Sequence, residues 1–190
     1  MNRLLVLLLC LSFFTGCTSK GVEKSTACAE QEACTFGEEV EFGFQSMSVD
    51  ESIDFFENKQ SGILYFGFPG CPWCEEVIPL LEEVSQEMEV PVHYIRTRKA
   101  KDENFEHTYS VLQKEKWLEY LGSYMSENEE GIPTLYVPLV VCVENGNVVA
   151  GHVGTLEEHD AHERLRNEDE IEIVRSVYQK MFNKLKKDVA

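Results

Sequence analysis

GILYFGFPGCPWCEEVIPLLEE, residues 62–83, passes from an apolar run to a charged segment through the pair Cys71 and Cys74. The run Ile63 to Phe68 is almost entirely apolar, which is typical of a strand covered on both faces. From Pro72 to about Met88 apolar residues recur at helical spacing and predict one buried stripe, made of Val77, Leu80, Leu81 and Val84. We therefore expect the cysteine pair where a central strand ends and a helix begins.

That junction suits thiol chemistry. The unpaired amides and the positive end of the helix dipole stabilise a thiolate at Cys71 and lower its pKa. Cys74, one turn later, could attack a mixed disulfide formed on Cys71, and Pro72 is tolerated in the first turn because no N–H is needed there. The spacing therefore favours thiol–disulfide exchange.

The flanking segments alternate between strand and helix patterns. A short apolar alternation covers Val40 to Phe44, and Ser48 is a candidate cap for a helix over DESIDFFENK. VPVHYIR, residues 90–96, reads as a strand with Pro91 at its edge. A closing helix carries a stripe of Ile171, Val174, Tyr178, Met181 and Leu185. This alternation predicts a layered α/β domain around a central sheet.

The cysteine stretch resembles the active site of the thioredoxin family, in which a proline five residues after the second cysteine kinks the helix; here it is Pro79. The family also places a cis-proline before the next strand, facing the cysteines. Pro133 and Pro138 are candidates. We assign Pro138, because the strand after it runs directly into the hairpin signal Asn145-Gly146, and we leave Pro133 in a loop.

The resemblance covers roughly residues 40–190. It implies a thioredoxin-like three-layer α/β/α sandwich with a central mixed sheet and a helical insertion, about residues 97–131, before the cis-proline strand. It also implies that Cys71 and Cys74 are catalytic and that substrate contacts come from Pro72, Trp73, Val137 and Pro138. No diffusible cofactor is implied.

One position departs from the family pattern. Many thioredoxins have a buried aspartate six residues before the first cysteine, and this chain has Tyr65 there. The proton relay is then unassigned, with water or Glu75 as substitutes. We interpret Glu75 and Glu76 as a solvated first helical turn. Their negative charge should raise the pKa of nearby thiols and favour the reducing direction.

The segment 97–131 is expected to form one or two helices. Its apolar residues fall roughly at helical spacing, namely Phe105, Tyr109, Leu112, Trp117, Leu118, Leu121 and Met125. They could pack against the sheet, which we prefer, or form a cap that selects the partner protein.

The first residues, MNRLLVLLLCLSFFTGC, combine Arg3 with an apolar stretch, Leu4 to Leu11, that is too short to span a bilayer. They resemble a bacterial lipoprotein signal, which implies cleavage after residue 16 and lipidation of Cys17. An ordinary cleaved signal or an uncleaved anchor is the alternative. Residues 17–38 lack an apolar period and read as a flexible tether, which leaves 39–190 as one domain. The protein is expected at the extracytoplasmic face of a bacterial cell membrane.

The chain has a formal net charge of −17, which argues against nucleic acid and anionic lipid as partners. Outside the central pair, we interpret Cys142 as a buried small hydrophobe. Cys28 and Cys34 could close a small disulfide loop or act as resolving thiols. A zinc site joining them to the central pair is disfavoured, because the thioredoxin-like pattern already accounts for Cys71 and Cys74. His159 and His162 have ligand-like spacing but are expected in a solvated helix start.

Together these patterns predict a membrane-anchored thiol–disulfide oxidoreductase. Its expected partners are client proteins or peptides with disulfides, an unidentified membrane or extracytoplasmic electron donor, and the membrane through lipid on Cys17. The CPWC pair and the length also resemble bacteriocin-transport accessory lipoproteins, which implies a peptide-secretion context. The alternative is a non-catalytic secretion-accessory or binding module in which the pair forms a structural disulfide.

Overall fold

A five-stranded sheet lies between two pairs of helices in the computed structural model, which describes residues 43–99 and 106–187. The elements in chain order are β1 (Gln45–Met47), α1 (Val49–Glu57), β2 (Gly62–Gly67), α2 (Pro72–Met88), β3 (Val92–Arg96), α3 (Val111–Leu121), β4 (Ser126–Glu127), β5 (Pro133–Thr134), β6 (Leu139–Glu144), β7 (Asn147–Val153) and α4 (Glu168–Lys187). The strand order is β1-β3-β2-β6-β7. β1, β3 and β2 are mutually parallel, β6 is antiparallel to β2, and β7 is antiparallel to β6. This is the mixed α/β/α sandwich that the sequence predicts.

β2 lies at the centre of the sheet and is apolar because both of its faces are covered. Successive side chains of a strand point to opposite faces. Ile63 and Tyr65 join the core cluster that contains α2 and α4, whereas Leu64 and Phe66 join the cluster beneath α1 and α3. The strand therefore divides the domain into two cores, and the predicted stripes of α2 and α4 pack into the first of them.

Local signals place the ends of several elements correctly. Ser48 caps α1 through a capping box in which its side chain accepts from the Glu51 amide and the Glu51 carboxylate accepts from the Ser48 amide. Asn145 and Gly146 both have positive φ and turn β6 into β7, as a two-residue hairpin requires. A side chain at Gly146 would also collide with the backbone of Phe56.

The segment 97–131 contributes α3, which packs beside α1 against the sheet. Trp117 is fully buried and its indole N–H donates to Ser52 Oγ at 3.0 Å. This is the packing role we preferred. The expected stripe is nevertheless only partly correct, because Leu112 and Leu118 are exposed whereas Trp117 and Leu121 are buried. Phe105 lies outside the described residues.

Two further sequence predictions need correction. The apolar alternation at Val40 to Phe44 suggested a strand, but its described residues, Gly43 and Phe44, form a bend. The first described strand is Gln45–Met47. Pro133 does not lie in a loop, because it opens β5, which pairs with β4 through the register Glu127↔Pro133. A proline fits at such a short edge strand because few ladder hydrogen bonds are needed there.

The N-terminal predictions concern residues outside the described part, namely the signal over 1–16, the lipidated Cys17, the tether over 17–38 and the pair Cys28 and Cys34. Within residues 43–99 and 106–187, we find no helix that combines the length and the apolarity needed to cross a bilayer.

Candidate active site

Cys71 is the residue immediately before α2, as the sequence predicts. The chain leaves β2 at Gly67 and turns through Gly70, which has φ +80°. Cys71 then adopts the extended conformation of an N-cap, and Pro72 occupies the first helical turn. This arrangement directs the free amides of the helix start toward the Cys71 sulfur.

The surroundings of the two thiols shift their pKa values in opposite directions, although both thiols are buried and free. The Cys74 thiol donates to the Cys71 sulfur and thereby lowers the pKa of Cys71; burial opposes this, and the amides of Cys74 and Trp73 support it. Burial raises the pKa of Cys74 well above the ordinary thiol range. The hydrogen bond that Cys74 donates to Cys71 and the negative charge of Cys71 raise it further. The directions of these shifts favour Cys71 over Cys74 as the nucleophile.

The acidic residues next to the pair behave differently from one another. The charge of Glu75 raises the pKa of Cys71, as expected, but this effect is smaller than the hydrogen bond from Cys74, so the net shift is downward. Glu76 is not part of a solvated turn, because its side chain is only 8% exposed.

Pro138 lies at the end of the sheet from which the cysteines project. The Val137–Pro138 peptide bond is cis, whereas Pro133 follows a trans bond. Leu139 pairs with Phe66 in antiparallel register, so Pro138 lies beside the carboxyl end of β2, from which the chain continues to the cysteines. Val137 packs against the core cluster that contains both cysteines. The predicted substrate-contacting residues and the dithiol are thus brought to one region of the domain.

A buried ionic cluster beside the dithiol was missed by the sequence reasoning. Glu76 Oε2 lies 2.7 Å from His159 Nε2 and 3.2 Å from Arg166 Nε, and the side chains of His159 and Arg166 are 0% and 3% exposed. Arg166 also donates from Nη2 to the Glu76 backbone carbonyl. These ion pairs and this hydrogen bond hold the connection between β7 and α4, residues 154–167, against the start of α2.

The prediction that His159 and His162 lie in a solvated helix start was wrong for His159, because α4 begins only at Glu168 and His159 pairs with a buried carboxylate. His162 is exposed and contacts Trp73 edge-on, with ring centroids 4.6 Å apart. No group of three metal-ligating side chains occurs within the described part of the chain. One sequence signal for the cluster existed: Glu76 lies one turn before Leu80, next to the apolar stripe of α2.

Comparison with solved structures finds thioredoxins that are similar to part of the chain. The chain matches no protein-family model and no curated protein. Among solved structures it is similar to thioredoxin f2 of Chlamydomonas reinhardtii, with 19% identity, a TM-score of 0.39 and coverage of 59% of this chain and 84% of that one. It is also similar to oxidised thioredoxin of Plasmodium falciparum, with 15% identity, a TM-score of 0.36 and coverage of 72% and 98%.

The fold is thioredoxin-like, because its mixed sheet of order β1-β3-β2-β6-β7 lies between two pairs of helices and brings the cis-proline Pro138 to the end of β2 from which the dithiol follows. The chemistry available to this domain depends on Cys71, Cys74 and their surroundings.

Proposed function

We propose that this protein is a membrane-anchored extracytoplasmic oxidoreductase that acts on disulfides of proteins or peptides through Cys71 and Cys74. The observation that carries the proposal is the position of Cys71 immediately before α2, in one core cluster with Cys74 and at the end of the sheet that holds the cis Val137–Pro138 bond. In these surroundings the pKa of Cys71 is lowered, chiefly by the hydrogen bond from Cys74, and burial raises the pKa of Cys74. A purely structural disulfide needs no such asymmetry.

In the reducing direction, the Cys71 thiolate attacks one sulfur of a substrate disulfide. A mixed disulfide forms, and the other substrate sulfur leaves as a thiolate that takes up a proton. Cys74 then loses its proton and attacks Cys71 Sγ, which releases the second substrate thiolate. Two electrons pass from the protein dithiol to the substrate, and Cys71 and Cys74 end as a disulfide.

We propose that the substrate backbone lies beside Val137 and Pro138, because this segment and the dithiol lie at the same end of strands β2 and β6. Pro72 and Trp73 would contact the substrate next to the reacting sulfur. Glu75 opposes the lowering of the Cys71 pKa, which supports a reductase or isomerase rather than an oxidase. The electron donor is proposed to be a membrane or extracytoplasmic dithiol protein, and the resemblance to bacteriocin-transport accessory lipoproteins supports peptide secretion as the setting.

Replacing Cys74 by alanine tests the exchange mechanism. The variant keeps the attacking thiol but lacks the resolving one, so we expect covalent adducts with client proteins to accumulate in cells. Non-reducing electrophoresis and mass spectrometry would identify them. The matched control is the double variant Cys71→Ser with Cys74→Ala, which should trap nothing. Adducts of equal amount in both proteins would exclude Cys71 as the nucleophile.

Lipid anchoring at Cys17 makes a separate prediction. In a bacterial host, the full chain should incorporate a labelled fatty acid and sediment with the membranes. The variant Cys17→Ser should lose the label, whereas Cys28→Ser, which alters another cysteine of the N-terminal region, should keep it. Equal labelling of the wild type and the Cys17→Ser protein would refute the anchor.

A further inference from the structure

Tyr65 places a phenol hydroxyl in the same core cluster as the two cysteines. It lies on β2, six residues before Cys71, and its side chain is fully buried. The ring stacks on Tyr94 with centroids 5.4 Å apart and meets the edge of Phe44 at 5.8 Å. These contacts fix the direction of the hydroxyl, because a ring held by two neighbours cannot rotate freely.

Gly67 makes room for this hydroxyl. A Cβ at Gly67 would collide with the Tyr65 oxygen, so the phenol fits only against a bare backbone. Among the described residues the hydroxyl has no hydrogen-bond partner of regular geometry. A buried hydroxyl without a partner costs about 1–3 kcal/mol, and a phenylalanine would avoid this cost. The retained hydroxyl therefore calls for a functional explanation.

The Cys74 sulfur is the group with which the hydroxyl interacts. Burial raises the pKa of Tyr65 well above its ordinary value, and the charge of Cys74 and a hydrogen bond to it add to the effect. Conversely, the hydrogen bond from Tyr65 acts to lower the pKa of Cys74 against the larger effect of burial. A phenol in this environment keeps its proton at neutral pH, so it can donate a hydrogen bond but cannot act as a base.

We propose that the Tyr65 hydroxyl is a hydrogen-bond donor that stabilises the Cys74 thiolate while Cys74 attacks the mixed disulfide on Cys71. The inference rests on the proposed oxidoreductase function and deepens it by assigning a residue to the resolving step. A hydrogen bond from Tyr65 to Cys74 becomes stronger when Cys74 becomes negatively charged.

In this step the Cys74 thiol gives its proton to solvent, and Tyr65 retains its own. The Cys74 thiolate attacks Cys71 Sγ, the bond between Cys71 and the substrate sulfur breaks, and the substrate sulfur leaves as a thiolate. The Cys71–Cys74 disulfide forms, so the dithiol is oxidised by two electrons and the substrate disulfide is reduced. The charge on Cys74 disappears as the new bond forms, and the hydroxyl returns to its weakly bonded state.

The test follows the two half-steps separately with 5,5′-dithiobis(2-nitrobenzoate) as the disulfide substrate. Attack by Cys71 releases a first coloured thiolate, and attack by Cys74 on the mixed disulfide releases a second. Stopped-flow absorbance of the reduced protein resolves the two phases, and the second phase is the one absent from the Cys74→Ala protein. The first phase thus reports the proposed function, and the second reports the role of Tyr65.

We expect Tyr65→Phe to slow the second phase about three- to tenfold. Loss of a hydrogen bond to a charged group should lower the population of the Cys74 thiolate by about ten- to a hundredfold. The thiolate that remains is more basic and therefore a better nucleophile, which offsets about half of the loss in rate on a logarithmic scale. The first phase should change by less than about twofold, since the substituted group acts on Cys74. The rate of the second phase should rise with pH until Cys74 is fully ionised, and the pH at which it levels off should be higher in the variant than in the wild type. A loss of packing alone would not shift this pH.

Tyr178→Phe is the matched control. Tyr178 is also fully buried in this cluster with an unpartnered hydroxyl, and its pKa is raised by burial and to a lesser extent by the charge of Cys74. No hydrogen bond between Tyr178 and Cys74 contributes to either pKa, so Tyr178→Phe should leave the first phase unchanged and change the second phase by less than about twofold. Gly67→Ala is a second probe, because it displaces the Tyr65 hydroxyl without removing it and should also slow the second phase alone. An unchanged second phase and an unchanged pH profile in both Tyr65→Phe and Gly67→Ala would overturn the assignment. If the wild type shows no Cys71-dependent first phase, the proposed function fails and the inference with it.

Discussion

Replacing Cys71 by serine is expected to reduce the disulfide-reducing activity to the rate measured without the protein. A serine hydroxyl stays protonated at neutral pH and is a poor nucleophile, whereas the wild-type residue is a thiol of lowered pKa at a helix start. The reduction of insulin by dithiothreitol, followed by turbidity, measures this activity. The loss should be complete, because no other described thiol is both nucleophilic and placed before a helix.

Cys142→Ala supplies the control. Cys142 lies in the middle of β6, and burial raises the pKa of its thiol to about 12, so it is protonated at neutral pH. The activity of this variant should equal that of the wild type. The comparison also separates the enzyme from an accessory module with a structural disulfide, because such a module would keep its cellular function in the Cys71→Ser strain. Full insulin-reducing activity of the Cys71→Ser protein would rule out the exchange mechanism.

The second large effect concerns stability. Arg166→Met retains an aliphatic side chain of similar length but removes the cation from the buried cluster and leaves the Glu76 carboxylate beside His159. Removing one partner of a buried ion pair costs about 3–5 kcal/mol, because the remaining charge is neither hydrated nor compensated. For a domain of this size we expect the midpoint of thermal unfolding to fall by on the order of 10 °C. Circular dichroism would measure it.

Arg175→Met is the matched control on α4. Arg175 pairs with Glu83 and Glu87, but those carboxylates are largely exposed, so the loss should be at most about 1 kcal/mol. Adding Glu76→Gln to Arg166→Met removes the uncompensated charge and should restore part of the lost stability. If the Arg166→Met and Arg175→Met proteins unfold at the same temperature, the ion pair of Glu76 contributes nothing beyond a surface contact.

The cluster also links stability to the site. Glu76 is two residues after Cys74, and the partners of Glu76 come from residues 154–167. The same segment contacts Trp73 through His162. Loss of the ion pair should therefore loosen the segment next to the dithiol as well as lower the unfolding temperature.

Several elements could be predicted because their signals are local. The apolar run at Ile63 to Phe68 identified the central strand, and the capping box at Ser48 marked the start of α1. Asn145-Gly146 identified the hairpin, since few residue pairs adopt positive φ twice in succession. The hairpin in turn selected Pro138 over Pro133, and the Val137–Pro138 bond is cis.

Other features depend on residues that are far apart in the chain. Glu76 and Arg166 are 90 positions apart, and the charge pattern around Glu76 resembles an ordinary solvated helix start. Pro133 reads as a loop residue until β4 is placed beside it. The exposure of Leu112 and Leu118 follows from which side of α3 faces the sheet, and their spacing is equally compatible with burial.

The amino-acid sequence by itself determined the secondary-structure elements around the dithiol, the order of the candidate site residues Cys71, Cys74 and Pro138, and the acidic character of the chain. These features depend on hydrophobic period, turn geometry and composition, which act between near neighbours. Only the tertiary structure decided that Glu76 is buried with His159 and Arg166 and that the Tyr65 hydroxyl is buried in the same core cluster as Cys74. The burial of a polar group and the identity of its partners depend on which distant segments the fold brings together. These two factors determine the free-energy cost of placing a charge or a hydroxyl in the protein interior.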